Sequence, residues 1–115
     1  MIKVVNIEGK PMKMASSAIL VRQYRAHFGR DLIVDMTKAT SGKRSGEELS
    51  LADVDLSVFE NLAWLMLRNG GEAVGESPEE WLETLESPFT VYELIGDISD
   101  LWAANLKTTA VPKKK

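Results

Sequence analysis

His27 is the one histidine in a chain of 115 residues that contains no cysteine, and those two facts bound the chemistry its side chains can do. A single imidazole could act as a general base, but it cannot supply a histidine pair or a His-x-x-x-His face for a metal ion. Without a thiol there is no cysteine nucleophile, thiolate metal site, iron–sulfur cluster or disulfide framework, which suits a reducing cytoplasm. His27 sits beside Phe28 in a helical pattern and reads as a packing or surface residue. No Gly-x-Ser-x-Gly elbow, Walker loop or dinucleotide fingerprint occurs. Gly42 and Gly46 bracket Lys43-Arg44, yet the Gly-Lys-Ser/Thr spacing of a phosphate cradle is missing. Asp53, Asp55 and Glu60 lack the twelve-residue calcium loop with its central glycine. Glu79, Glu80, Glu83 and Glu86 recur at helical spacing and read as a solvated face. The expectation is a chain with no catalytic residue, no metal and no cofactor, and therefore not an enzyme.

With chemistry thin, charge becomes the informative property. The net charge of −3 conceals a strong asymmetry. Residues 1–45 carry nine Lys or Arg against three acids, whereas residues 46–106 carry one base, Arg68, against fourteen acids. Either the two halves neutralise one another within one chain, or the basic half of one copy meets the acidic half of the next. A head-to-tail contact of the second kind repeats into a closed ring or an open helix, with complementary charge setting register and encounter rate. Candidate self-association residues are Arg22, Arg25 and Arg30 on the basic side and Glu79, Glu83 and Glu86 on the acidic side. An acidic pI of about 5.2 and the acidic second half would repel a phosphate backbone, so nucleic acid is not an expected partner. Nor is a membrane. The longest apolar run, Leu62 to Leu67, is far short of the roughly 20 residues a span needs, and residues 1–10 hold no secretory apolar region.

The elements that carry these charges follow from periodicity. Residues 2–14 alternate β-branched residues and methionines around Glu8-Gly9-Lys10-Pro11, a short β-hairpin that must pack on a helix or another chain. Ser16 or Ser17 is placed to N-cap a helix bearing Leu20, Val21, Tyr24 and Phe28, which Gly29 ends. Asp31 starts a second helix with Leu32, Ile33 and Met36 apolar, ending near Lys38. Residues 39–50 lose periodicity and read as an exposed, nick-prone loop. Ser50, Asp53 or Asp55 opens an apolar helix through Leu62–Leu67, the central core helix, stopped by Asn69-Gly70-Gly71. Ser77-Pro78-Glu79-Glu80 is a capping-box start. Ser87-Pro88 repeats it ahead of Val91, Leu94, Ile95, Ile98, Leu101 and Trp102, a stripe that fades near Asn105. Trp64, Trp81 and Trp102 lie in apolar runs and read as core. The summed expectation is a mainly α (α+β) fold with four to five helices and an N-terminal β-hairpin. It forms a single domain over residues 1–106 with a disordered basic tail over 107–115.

Taken in order, these elements resemble a known family. The hairpin, the core Arg22-x-Tyr24-Arg25-x-x-Phe28-Gly29-x-Asp31-Leu32, a polar loop, the apolar helix around Leu62–Leu67, Trp81-Leu82-Glu83-Thr84-Leu85-Glu86, and the end Trp102-Ala103-Ala104-Asn105-Leu106-Lys107-Thr108 with Pro112-Lys113-Lys114-Lys115 are similar to tail assembly chaperones of long, non-contractile-tailed phages and prophages of Gram-positive bacteria. The resemblance spans nearly the whole chain and consists of packing and capping patterns. It implies a protein of the host cytoplasm that binds the tape measure protein, helps recruit tail-tube subunits, self-associates into rings or spirals and is absent from the finished virion. Programmed ribosomal frameshifting near the end of the frame is common in such families. Pro112 followed by three lysine codons can hold a slippery run, and a Lys-rich solubilising tail is the alternative. The rival class is a phage structural protein, a head–tail joining or completion component retained in the particle. A small nucleic-acid-binding regulator is the third.

Overall fold

Alternating apolar residues make the first element, and a two-residue turn fixes its register. Strand β1, Ile2–Ile7, pairs antiparallel with β2, Lys10–Ala15, so that Ile7 faces Lys10 and Ile2 faces Ala15. The turn residues Glu8 and Gly9 both have positive φ, 52° and 88°, the geometry of a type I′ hairpin turn whose twist matches the strands. The computed structural model describes residues 1–40 and 55–110. One hairpin face turns Val5, Ile7 and Met14 into the core.

Five helices follow. Helix α1, Ile19–Phe28, buries Leu20 and Tyr24 and ends on Gly29 at φ 67°, the left-handed residue expected there. Helix α2, Leu32–Thr40, opens with Asp31 accepting the Val34 N–H at 3.1 Å, as an N-cap carboxylate should. Helix α3, Leu56–Asn69, is the centre of the molecule, with every residue from Leu62 to Leu67 buried because β2, α5, α1, α4 and α2 surround it. Its C-terminal Gly70 presses on the backbone of β2, where a Cβ would collide with the Lys13 carbonyl. Helix α4, Pro78–Leu82, and helix α5, Thr90–Ala110, complete the fold. The architecture is therefore mainly α with a two-stranded antiparallel hairpin at the N-terminus. Trp64 and Trp81 are buried and Trp102 is half-buried against the same core.

Several local expectations need correction. Neither Ser16 nor Ser17 caps α1 with its side chain; Ala18 holds the cap position, Leu20 N–H bonds the Ser17 carbonyl, and Ser16 is buried. Ile33 is exposed, and Asp35 is buried in its place. Residues 39 and 40 belong to α2, not to a loop. Asp55 occupies the α3 cap position without capping by its side chain, which accepts from Ser57 Oγ instead. Helix α4 stops at Leu82, so Glu83 and Glu86 do not extend one helical stripe from Glu79. Helix α5 continues past Asn105 to Ala110. The polar loop of residues 41–50, with Lys43-Arg44, the candidate caps Ser50 and Asp53, and the end of the basic tail, 111–115, lie outside the described residues.

Candidate functional site

The candidate surfaces are the two charged sides, and each is held in place by a different device. On the basic side, the α1–α2 corner is locked around one buried carboxylate. Asp35, 4% exposed, accepts hydrogen bonds from Tyr24 Oη at 2.9 Å, Arg30 Nε at 2.6 Å and Arg30 Nη2 at 2.8 Å. The bidentate guanidinium holds the Asp35 carboxyl below the usual carboxylate range against the opposing effect of burial. Burial, reinforced by the neighbouring Asp35 charge, pushes the Tyr24 hydroxyl up to about 12. Arg30 is thus a structural residue with its guanidinium committed, whereas Arg22 and Arg25 stand exposed on α1. Arg25 reaches Asp31 only at 3.8 Å across an exposed surface, a contact of little strength.

On the acidic side, Ser77 Oγ accepts the Glu80 N–H and Glu80 Oε1 accepts the Glu76 N–H, fixing the start of α4. Trp81, buried behind it, pins the helix to the core. Glu79, Glu83 and Glu86 are all exposed, but they are not one face. Glu79 lines a cleft of about 340 Å³ with His27, Phe28, Asn61 and Trp64. Glu86 lines a groove of about 500 Å³ with Lys10, Met12 and Trp81 beside the hairpin turn. The carboxyl of Glu60 is raised above its ordinary value by burial, then by the charges of Glu79 and Asp55.

Lys3 crosses to the acidic half, binding Asp97 at 2.7 Å and Asp100 at 3.6 Å. The Arg25–Asp31 and Arg30–Asp35 pairs stay within the basic half. Arg22 on one side and Glu79, Glu83, Glu86 and Glu93 on the other make no ion pair among the described residues. Among the described residues the halves pack together through apolar side chains, while Arg22, Glu79, Glu83, Glu86 and Glu93 face solvent.

His27 meets Trp64 edge-on at 5.2 Å between ring centroids, and its Nε2 lies 3.1 Å from Arg68 Nη1. Arg68 in turn stacks 5.2 Å from the Trp64 ring. The His27 ring also lies 6.0 Å from the Phe28 ring, so its described contacts are two aromatic rings and one guanidinium. Among the described residues no three His, Asp or Glu side chains could hold a metal ion together, and no helix is long and apolar enough to cross a membrane.

Two features of these surfaces were not anticipated. Phe89 is 59% exposed at the start of α5, with its ring 6.2 Å from Tyr92 and Glu86 and Glu93 nearby in sequence. The signal was there, since Phe89 precedes the buried stripe that begins at Val91. The Tyr24–Arg30–Asp35 clamp was signalled by an acid inside the apolar run Leu32-Ile33-Val34-Asp35-Met36. No family model, curated protein or solved structure matches the chain.

Proposed function

We propose that this chain is a non-enzymatic assembly chaperone of a long-tailed phage, acting in the host cytoplasm as a self-associated ring or spiral. It would cover the tape measure protein, help recruit tail-tube subunits around it and leave before the virion is complete. The observation that supports this reading is the exposed charge of Arg22 on one half and of Glu79, Glu83, Glu86 and Glu93 on the other, which make no ion pair among the described residues. A monomer whose function lay within one chain gains nothing from opposite charges that its own fold leaves unpaired, whereas a head-to-tail oligomer pairs them between copies. The client, a long chain with repeated apolar stripes, is held best by many weak contacts presented together. Phe89, an exposed aromatic beside Glu86 and Glu93, has the character of an anchor in such a contact.

The test is co-expression with the neighbouring tape measure protein, followed by light scattering of the free chain in low salt. Solubilisation of the tape measure protein and a free chain larger than a monomer support the reading. Arg22→Glu with Arg25→Glu should shrink the oligomer, and Glu83→Lys should partly restore it; Arg30 is left alone because its loss would disturb the fold. No client binding by a chain that does not self-associate through these faces overturns it, and recovery of the chain from purified virions moves the reading to a retained joining or completion protein.

A further inference from the structure

The fold treats the two edges of its hairpin differently. Met1 and Ser16 exchange both backbone hydrogen bonds, N–H to carbonyl at 2.8 and 2.9 Å. The alternation of an antiparallel ladder then points the N–H and C=O of Lys3, Val5 and Ile7 into the hairpin, and those of Ile2, Val4 and Asn6 outward. On β2 the outward residues are Pro11, Lys13 and Ala15. Pro11 has no N–H to offer. The Lys13 N–H donates to the Glu72 carboxylate at 2.9 Å, and its carbonyl is covered by Gly70. At Pro11 and Lys13 that edge is closed by devices natural sheets use against unwanted pairing.

The β1 edge has none of them. Ile2 is 65% and Val4 60% exposed, and among the described residues no backbone or side-chain group meets their outward N–H and C=O. The strand's one charged side chain, Lys3, is turned to the inner face and neutralised by Asp97 and Asp100, so it does not guard the edge.

We propose that β1 pairs antiparallel with β1 of a second copy about a two-fold axis at Val4, making one four-stranded sheet across two chains. The strand itself selects this occupant and this register. Two identical strands pair antiparallel through the same surface on each copy, a closed contact. Centred on Val4, the pairing sets Val4 against its own counterpart and Ile2 against Asn6 of the second copy. Every outward N–H and C=O of those residues then finds a mate. Centred on Lys3, it would pair Ile2 with Val4 and carry Asn6 past the start of β1 in the second copy, leaving the outward groups of Asn6 without a strand partner. Centred on Val5, it would carry Ile2 past the strand end to Glu8 in the turn. A two-stranded hairpin, marginal by itself, gains neighbours on its open side.

This contact uses backbone groups and apolar side chains, so it is separable from the charged faces. Sedimentation of the full chain in about 0.5 M sodium chloride, where charge is screened within a few ångströms, tests it without the head-to-tail contact. The expected mass is twice that of the chain. Val4→Pro removes an outward N–H that the hairpin does not use and should halve the mass, while Val4→Thr, which keeps that N–H, should not. Wild-type amide exchange gives a second measurement that needs no variant: Val4 and Asn6 should slow as protein concentration rises. A wild-type monomer throughout the series, a dimeric Val4→Pro variant, or concentration-independent exchange at Val4 and Asn6 overturns the proposal. Slowing only when tape measure protein is added also overturns it, because the edge would then serve the client. Dissociation in low salt by the Arg22 and Arg25 changes bears on the charged faces alone.

Discussion

Two carboxylates in this molecule each gather converging donors, and they do so in opposite ways. Asp35 is buried, and its donors, Arg30 and Tyr24, lie 5 and 11 residues away in the chain. Glu8 sits exposed at the tip of the hairpin turn and takes the Glu86 N–H at 3.0 Å, the Ser87 N–H at 3.0 Å and the Thr90 hydroxyl at 2.6 Å. Those partners are 78 to 82 residues away and form the approach to α5. The first is a local lock that sets the angle between neighbouring helices. The second ties the hairpin turn to the segment that leads into α5. Burial strengthens the first and raises the cost of breaking it. Exposure weakens the second, whose importance lies in which parts it connects.

The buried Asp35 carries the larger expected effect. Asp35→Ala leaves the Tyr24 hydroxyl buried without its acceptor and frees Arg30, and should cost about 2–3 kcal/mol in denaturant unfolding. Tyr24→Phe, which removes one donor and keeps the Arg30 pair, should cost about 1 kcal/mol in the same measurement. Glu8→Gln should act locally instead, speeding amide exchange at Glu86 and Ser87 with little change in global melting. If Glu8→Gln destabilises the whole domain as much as Asp35→Ala, the distinction between lock and joint fails.

Acid titration sharpens the same contrast. Hydrogen bonds lower the folded pKa of both Asp35 and Glu8, Asp35 first through Arg30 and Glu8 first through Thr90. Each therefore adds stability above its unfolded value, near 3.8 for Asp35 and 4.5 for Glu8, and loses it as pH falls through the lower folded value. Glu60 has the reverse sign. Its folded pKa is raised, so the protein is favoured below about 4.5 and disfavoured as pH rises through the folded value. Glu60→Gln should give the smallest effect of the set, a slight rise in melting temperature at neutral pH that disappears in acid.

What could be seen in the sequence was local. The hairpin showed through alternation around Glu8-Gly9, the left-handed stop through Gly29, and the α4 start through Ser77-Pro78-Glu79-Glu80. Each of these signals lies within a few residues of what it controls. The Glu8 bridge was invisible for the opposite reason: Glu8 reads as a turn residue, and Ser87, expected to open the last helix, precedes one that begins at Thr90, gives its N–H to Glu8 and accepts the Phe89 N–H on its hydroxyl. The continuous Glu stripe failed because Thr84 N–H and Leu85 N–H bond back to Trp81 and Leu82, tightening the chain into turns where a helix was expected. For the charged surfaces, the sequence displayed the polarity, but only the fold shows that Lys3 crosses between halves while Arg22 does not, and that Arg30 is spent on Asp35.

Gly70 closes against the Lys13 carbonyl with no side chain between helix and strand. How closely the end of α3 approaches the hairpin is consequently limited by main-chain atoms at this point. That approach requires position 70 to keep a hydrogen where other residues carry a carbon. Ancestry at this corner would then be preserved as a geometry rather than as a spelling, and two descendants could superimpose here long after their sequences had ceased to resemble each other.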